Sequence, residues 1–312
     1  MSALLSATIC WWPVYSGVAP LWYALLFFPK WWAGVLLVCA IPAIFYYGSR
    51  AIVVLMICAV LQVIYYSGMR FHPLAAQRSH SLSVMTLNAG QSLVDLASLK
   101  SFLLETSLDV IAFQELSQDV AVDQILMSPD WYFLRRGQLV VASRYPVEYV
   151  ASLRRSEIVE AGGYGLVYLV VDVILPDRNL RLMNVHLDTP RGGLEPLLHL
   201  TLDLNGLRNN FRRRYHEASI VADDMRRLGV SLALGDFNMP YESPLYQCFL
   251  GNYGNAFDIC GNGFGATKYT SWHSIRIDHV LHTSEMKSMR AEVEESLGSD
   301  HRPLLVDLVF YE

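Results

Sequence analysis

From Met1 to Ser67 the chain carries only two charged side chains, Lys30 and Arg50. A water-facing surface of that length needs far more polar cover, so this feature constrains the fold more than any other. Three apolar stretches fill it, from about Leu4 to Phe28, Trp31 to Gly48 and Ala51 to Ser67. Each approaches the roughly 20 residues that a helix needs to cross a hydrocarbon core about 30 Å thick. Trp11, Trp12, Trp31, Trp32, Tyr46, Tyr47, Tyr65 and Tyr66 gather near the ends of these stretches, as interfacial aromatics do. Pro13, Pro20 and Pro42 are tolerated in spanning helices. A cleaved leader does not fit, because no basic residue precedes Lys30 and the apolar text runs too long. The expectation is a transmembrane region over 1–69 with three helices, a linker over 70–80, and a separate domain over 81–312.

That layout makes the chain an integral membrane protein of a plasma or bacterial-type inner membrane, with the lipid bilayer as a partner. Three spans put Lys30, Arg70 and Arg78 on one side and Arg50 on the other, which leans toward a cytoplasmic domain. The margin of two charges leaves the side open, and two spans remain the alternative count.

Charge divides the same way. Of 24 Lys+Arg and 29 Asp+Glu, residues 1–75 hold three basic groups and no acid, leaving 21 basic against 29 acidic groups in the rest. A net negative domain repels long polyanions, which disfavours a general grip on nucleic acid. The five cysteines show no CxxC spacing, so no zinc site is indicated. Cys248 and Cys260 read as two free buried thiols, with a mutual disulfide as the alternative.

Past the linker, apolar runs of strand length recur at Leu82–Asn88, Val110–Gln114, Trp131–Arg135, Leu139–Ser143, Leu166–Leu175, Leu180–Leu187, Ser231–Asp236, Ile277–His282 and Leu304–Phe310. Leu93–Thr106 and Arg212–Leu228 have helical spacing, and PDRN at 176–179 predicts a hairpin turn. Many strands with few helices between them predict two packed sheets with helices outside.

Several of these strands end in polar residues. Asn88 closes SVMTLN, Gln114-Glu115 closes DVIAFQE, and His186 sits in LMNVHL. Asp236 and Asn238 follow LALG, Asp278 sits in IRIDHV, and Asp300-His301 precedes PLLVDL. Taken singly, Asn88 is a turn former, Glu115 a strand end, and a lone His186 a satisfied core group. Taken together, in order, chance explains them poorly, because catalytic groups gather where strands stop and loops begin.

TLNAG, FQE, SRYPV, NVHL, GDFN, RIDHV and SDHRPL, in that order, resemble the motif set of the endonuclease/exonuclease/phosphatase superfamily. That group includes pancreatic-type deoxyribonuclease, apurinic endonucleases, inositol-phosphate 5-phosphatases and neutral sphingomyelinases. The resemblance covers about residues 80–312. It implies an α/β fold, a four-layer α/β sandwich of two mixed β-sheets flanked by helices, preceded by the N-terminal transmembrane helices. It also implies cleavage of phosphoester bonds by 81–312 as the catalytic domain.

Phosphoester oxygens carry negative charge, so an enzyme must neutralise them, activate water and stabilise the leaving oxygen. Mg²⁺, with Mn²⁺ as a substitute, suits a site of few carboxylates plus substrate oxygens. The resemblance implies Asn88 and Glu115 as metal-site residues, and Asp300 would add a second carboxylate or a water-mediated contact. Asp278 would orient His301, and Asp236 would orient or deprotonate the attacking water. Asn238 would donate to a phosphate oxygen, and His186 would act on the leaving group or contact phosphate. Tyr164 in GGYG is carried as a substrate candidate, and Arg144 in SRYPV as a structural one. The run RNNFRRRYHE at 208–217 reads as a solvated basic helix face, with an anionic-headgroup contact as the alternative. The function expected is membrane-anchored hydrolysis of a phosphodiester or phosphomonoester, on a lipid-linked or nucleic-acid substrate. A tethered nuclease is the alternative, and an inactive binding module is disfavoured because every motif residue is present. No protein partner is implied.

Overall fold

The computed structural model describes residues 26–27, 38, 42, 48–61, 68–73, 82–90, 94–126, 130–158, 163–271 and 273–311. The strands in chain order are β1 Leu82–Asn88, β2 Val110–Gln114, β3 Tyr132–Arg136, β4 Leu139–Ser143, β5 Val147–Arg154, β6 Leu166–Ile174 and β7 Asn179–His186. They continue with β8 Leu232–Asp236, β9 Gly254–Asn255, β10 Lys268–Tyr269, β11 Ser274–Ile275, β12 Asp278–His282, β13 Met286–Val293 and β14 Leu304–Phe310. Two six-stranded sheets result, ordered β13-β14-β1-β2-β4-β3 and β5-β6-β7-β8-β12-β9, with β10-β11 as a small ribbon. Both large sheets are mixed, since β1–β2 and β7–β8 run parallel while the remaining neighbours are antiparallel.

Alternation along each strand explains why the sheets pack face to face. On β1 and β2, Val84, Val110 and Ala112 point into a shared core that also takes Leu169, Val171 and Leu182 of the second sheet. Their neighbours Met85, Ile111 and Phe113 face the other way, onto Leu99 and Leu103 of the Leu96–Glu105 helix. On the second sheet, Val170, Met183 and Ala233 face outward onto Phe211, Val221 and Met225 of the Leu204–Arg227 helix. Strands buried on both faces read as continuous apolar runs, which is how they appear in the sequence. The predicted two-sheet core and the 176–179 hairpin are present.

Of the proposed spans, Leu4–Phe28 and Trp31–Gly48 lie almost wholly outside the described residues. The third is described only as far as Leu61, within the Ser49–Leu61 helix of 13 residues, with Val53, Val54, Met56 and Ile57 exposed, and its residues 62–67 lie outside the described residues. Among the described residues no helix is long and apolar enough to cross a membrane. The segment expected as a linker begins docked on the domain. Arg70 and Gly263 exchange two backbone hydrogen bonds of 2.9 Å, the Arg70 guanidinium pairs with Asp258, and His72 Nδ1 lies 2.7 Å from the Gly261 carbonyl.

Two expectations are corrected. Cys248 is disulfide-bonded and Cys260 is free, so these two cysteines are neither a pair nor both free. The basic run at 208–217 is not a uniformly solvated face, because helical spacing carries Arg214 inward with Leu207, Asn210, Phe211 and Ala218. Of its four arginines, only Arg208 and Arg212 are exposed.

Candidate active site

Strand register assembles the site. Across β1–β2, Asn88 lies beside Gln114, which sets Glu115 one residue past the strand end. Across β7–β8, His186 lies beside Asp236. Because β12 runs antiparallel to β8, it starts where β8 stops, and Asp278 also lies beside Asp236. Asn88 joins the sheets, its Nδ2 donating to Asp236 Oδ2 at 3.0 Å and to Glu115 Oε1 at 3.2 Å. The loop before β14 closes the ring: Ser299 Oγ donates to the Asn88 carbonyl at 2.8 Å and accepts from the His301 amide at 3.1 Å.

Asp236 is the hub. Its Oδ2 is 3.7 Å from His301 Nε2 and 3.9 Å from His186 Nε2, and it also accepts from Asn238 Nδ2 at 3.2 Å. Its Oδ1 accepts from the Asn238 amide at 2.8 Å. Burial, then the Asp278 charge, raise the Asp236 pKa, with the two imidazoles opposing. His301 Nδ1 donates to Asp278 Oδ2 at 2.8 Å. Burial disfavours charge on this ring, but the Asp278 and Asp236 carboxylates outweigh it and hold its pKa up at about 9. Burial likewise opposes ionisation of Asp278, but the His301 charge and hydrogen bond bring its pKa below the usual value. Asp236, Asp278 and His301 each bring a ligand-type atom within 4.8 Å of one another.

On the opposite side, His186 Nε2 lies 3.3 Å from Glu115 Oε1. That hydrogen bond, against a desolvation penalty, holds Glu115 at about 2, so it is ionised at neutral pH. His186 Nδ1 is buried without a hydrogen-bond partner among the described residues.

The backbone is shaped for this convergence. Glu115 and Asn238 adopt φ of 49° and 50°, a left-handed conformation that non-glycine residues hold only where surroundings enforce it. Gly235 carries φ of 149°, and a Cβ there would lie 2.0 Å from the Val185 carbonyl oxygen. Only glycine lets β8 approach β7 closely enough to set Asp236 beside His186. Thr267 Oγ1 accepts from the Ile277 and Asp278 amides at 3.2 and 3.1 Å, fixing the start of β12.

A second shell of buried polar groups was not anticipated from sequence. Arg155 Nη2 donates to the His186 carbonyl at 2.7 Å while its Nε pairs with Glu217 Oε1 at 2.6 Å. Glu217 Oε2 in turn accepts from the Asp188 amide at 2.7 Å. Arg214 donates to the carbonyls of Asp188 and Asn238, tying the loops after β7 and β8 together. Burial pushes its guanidinium down to about 9. Beneath the site, Gln114 Nε2 donates to Asn184 Oδ1 at 2.8 Å, and Asn184 Nδ2 donates to the Phe113 and Val140 carbonyls, stitching sheet to sheet. The one sequence signal for these was helical spacing, which puts Arg214 and Glu217 on the inner face of an amphipathic helix.

Of the expected site residues, Asn88, Glu115, His186, Asp236, Asn238, Asp278 and His301 form one contact network. The Asp300 carboxylate is instead ion-paired with Lys268, while its carbonyl accepts from the Tyr269 amide at 2.8 Å. Tyr164 is 97 % exposed, and its carbonyl accepts from Arg155. Arg144 stacks on Trp131 at 4.3 Å, a structural contact. Beside Asn238 and Lys268 opens a cleft of about 260 Å³, walled by Phe27, Pro190, Leu194, Ile275 and Ile277.

Two packed mixed sheets, helices outside them, and a ring of carboxylates and imidazoles at one end define the phosphoester-hydrolase type of sandwich. The family model for the Endonuclease/Exonuclease/phosphatase family matches residues 85–301, and the chain belongs to that family. It is a hydrolase acting on phosphoester bonds. Solved structures share the fold at low identity. An endonuclease/exonuclease/phosphatase family protein from Bacteroides thetaiotaomicron is 16% identical, with 76% of this chain and 100% of that chain covered at a TM-score of 0.54. D. rerio TDP2 complexed with single strand DNA product is 16% identical, with 74% and 100% covered and a TM-score of 0.54. A mannosyl-6-phosphatase from the same Bacteroides species is 16% identical, with 74% and 100% covered and a TM-score of 0.53. No curated protein matches.

Proposed function

We propose that the chain is a membrane-anchored, divalent-metal-dependent phosphoesterase acting on a phosphodiester or phosphomonoester of a lipid or headgroup. The observation that carries the chemistry is the Asp236 hub, where one buried carboxylate meets two imidazoles and two amides. Anchoring rests on the charge-poor N-terminal sequence and on the exposed apolar side of the Ser49–Leu61 helix.

The donor set fits a hard cation. Glu115 and Asp236 present oxygens held together by one Asn88 amide, and Glu115 stays ionised. Asn88 and Glu115 would hold Mg²⁺ or Mn²⁺, with Asp300 contributing on release from Lys268. Such an ion supplies charge neutralisation at the phosphoryl oxygens. Asp236 orients or deprotonates the attacking water. Asp278 fixes the His301 tautomer, so that Nε2 faces the reacting phosphate as a protonated donor. Asn238 Nδ2 donates to a phosphoryl oxygen, and His186 serves the leaving-group side. Tyr164 enters as a substrate contact only if its loop closes over bound ligand.

A tethered nuclease is the second reading, favoured by the likeness to D. rerio TDP2, whose structure holds single strand DNA product. A Mg²⁺-dependent screen of the full-length protein against DNA, phospholipids and small phosphodiesters separates the two. Turnover of lipid phosphoesters with DNA left intact supports the proposal. Salt-sensitive cutting of DNA without lipid turnover would overturn it.

A further inference from the structure

The cleft beside the hub has two unlike halves. At one end Asn238, which donates to Asp236, and Lys268 face the reacting centre. The rest of the wall exposes mainly apolar surface, with Thr189, Arg191, Glu195, Thr270 and His273 as its polar members, and its apolar parts come from distant places in the chain. Ile275 and Ile277 precede β12, Pro190 and Leu194 come from the segment after β7, and Phe27 comes from the charge-poor N-terminal region. Phe27 is 8 % exposed and its ring lies 5.3 Å from the Arg214 guanidinium carbon, on the residue that holds the catalytic loops together. A mainly apolar recess that meets the hub at Asn238 matches a ligand with a charged head and a hydrocarbon portion.

A second observation points the same way. The chain leaving the Arg191–Leu198 helix, which supplies Leu194, exposes three leucines in five residues: Leu200 at 98 %, Leu202 at 61 % and Leu204 at 41 %. Leu200 holds a φ of 56°, a strained conformation for a branched side chain. Exposed Arg191, Arg208 and Arg212 flank this rim. Apolar tips on a rim of mixed charge, these three arginines with the exposed acids Glu195 and Asp203, suit the headgroup level of a lipid surface.

Resting on the hydrolase reading above, we propose that this cleft is a chain-binding subsite, and that the substrate is an amphiphilic phosphoester whose hydrocarbon part lies against Phe27, Leu194, Ile275 and Ile277. The phosphate sits at the Asn238 and Lys268 end. Phe27 is thereby a wall of the substrate site.

The test uses the full-length protein in nanodiscs and non-hydrolysable phosphonates, so that binding is read without turnover. Butyl phosphonate binds about tenfold or more tighter than methyl phosphonate, since each buried methylene contributes to transfer from water. Leu194→Ser flattens that difference, and Leu194→Met restores it. Equal affinities in the wild type, or an undiminished gain in Leu194→Ser, overturn the proposal. A chain-length gain without hydrolysis of any butyl phosphoester removes the hydrolase reading and leaves the subsite; hydrolysis without the gain does the reverse. A Leu200→Ser/Leu202→Ser variant separates the sources. Loss of turnover on bilayer-embedded ester alone marks a lipid surface, and equal turnover on embedded and soluble butyl esters marks free amphiphile.

Discussion

Two carboxylate–imidazole pairs flank Asp236, and they are built differently. Asp278–His301 is closed: the side chains are 1 % and 3 % exposed, the hydrogen bond is 2.8 Å, and Thr267 pins the backbone beneath it. Glu115–His186 is open: the side chains are 26 % and 12 % exposed and the separation is 3.3 Å, while each pair keeps one buried atom without a hydrogen-bond partner among the described residues, His186 Nδ1 and Asp278 Oδ1. The closed pair is organised before any ligand arrives, as a proton-handling group must be. The open pair is the more accessible of the two, which suits entry of an ion and a substrate oxygen. On the function proposed above, the tightly held buried pair would handle the proton and the looser, half-buried pair the ion.

The largest test of that division removes the hub or the closed pair's imidazole. His301→Ala and Asp236→Asn each lower kcat by on the order of a thousandfold while far-UV circular dichroism keeps the folded spectrum, and His301→Ala also melts lower because it leaves Asp278 buried without its imidazole. Near wild-type turnover in either variant removes that residue from the mechanism. Next comes the shell behind the open pair. Arg155→Met leaves the fully buried Glu217 without its guanidinium partner and destabilises the fold by about 3–5 kcal/mol in urea titration. An unchanged midpoint would mean that Glu217 is satisfied elsewhere.

The closed pair also has a pH signature. His301 titrates at about 9 against an ordinary 6.5, so the stability drawn from its charged form is full below about 6.5 and is lost as pH climbs through 9. Unfolding free energy of the wild type therefore falls over that window, and Asp278→Asn flattens the fall. An equally steep decline in Asp278→Asn would place the proton elsewhere. The smallest effect belongs to Tyr164. Its side chain is almost wholly exposed, so Tyr164→Ala changes kcat/KM by about twofold or less. A tenfold loss would show that its loop closes over substrate.

The central strands and the polar residues at their ends were legible in the sequence because burial on both faces leaves unbroken apolar runs that stop abruptly. Strands β5 and β13 were not. Both sit at sheet edges and mix exposed polar positions with buried ones, as edges that resist pairing do, and that pattern resembles loop. Arg214 was hidden in a basic run whose composition suggests solvent, although its spacing from Leu207, Phe211 and Ala218 marks the inner face. Lys268 gave no local signal at all. Its pairing with Asp300 depends on the bridge between residues 268 and 301, a contact across 33 positions that no local pattern encodes.

Glu115, on the open side, is the proposed divalent-ion anchor of this phosphoester hydrolase. That role is read from the Mg²⁺ dependence of phosphodiester hydrolysis by chelator-stripped wild type and Glu115→Gln. Turnover vanishes without ion and recovers with Mg²⁺ or Mn²⁺, and the half-saturating concentration rises roughly 10–100-fold in the variant. Hydrolysis that persists in excess chelator, or a variant with the wild-type Mg²⁺ requirement, would contradict it.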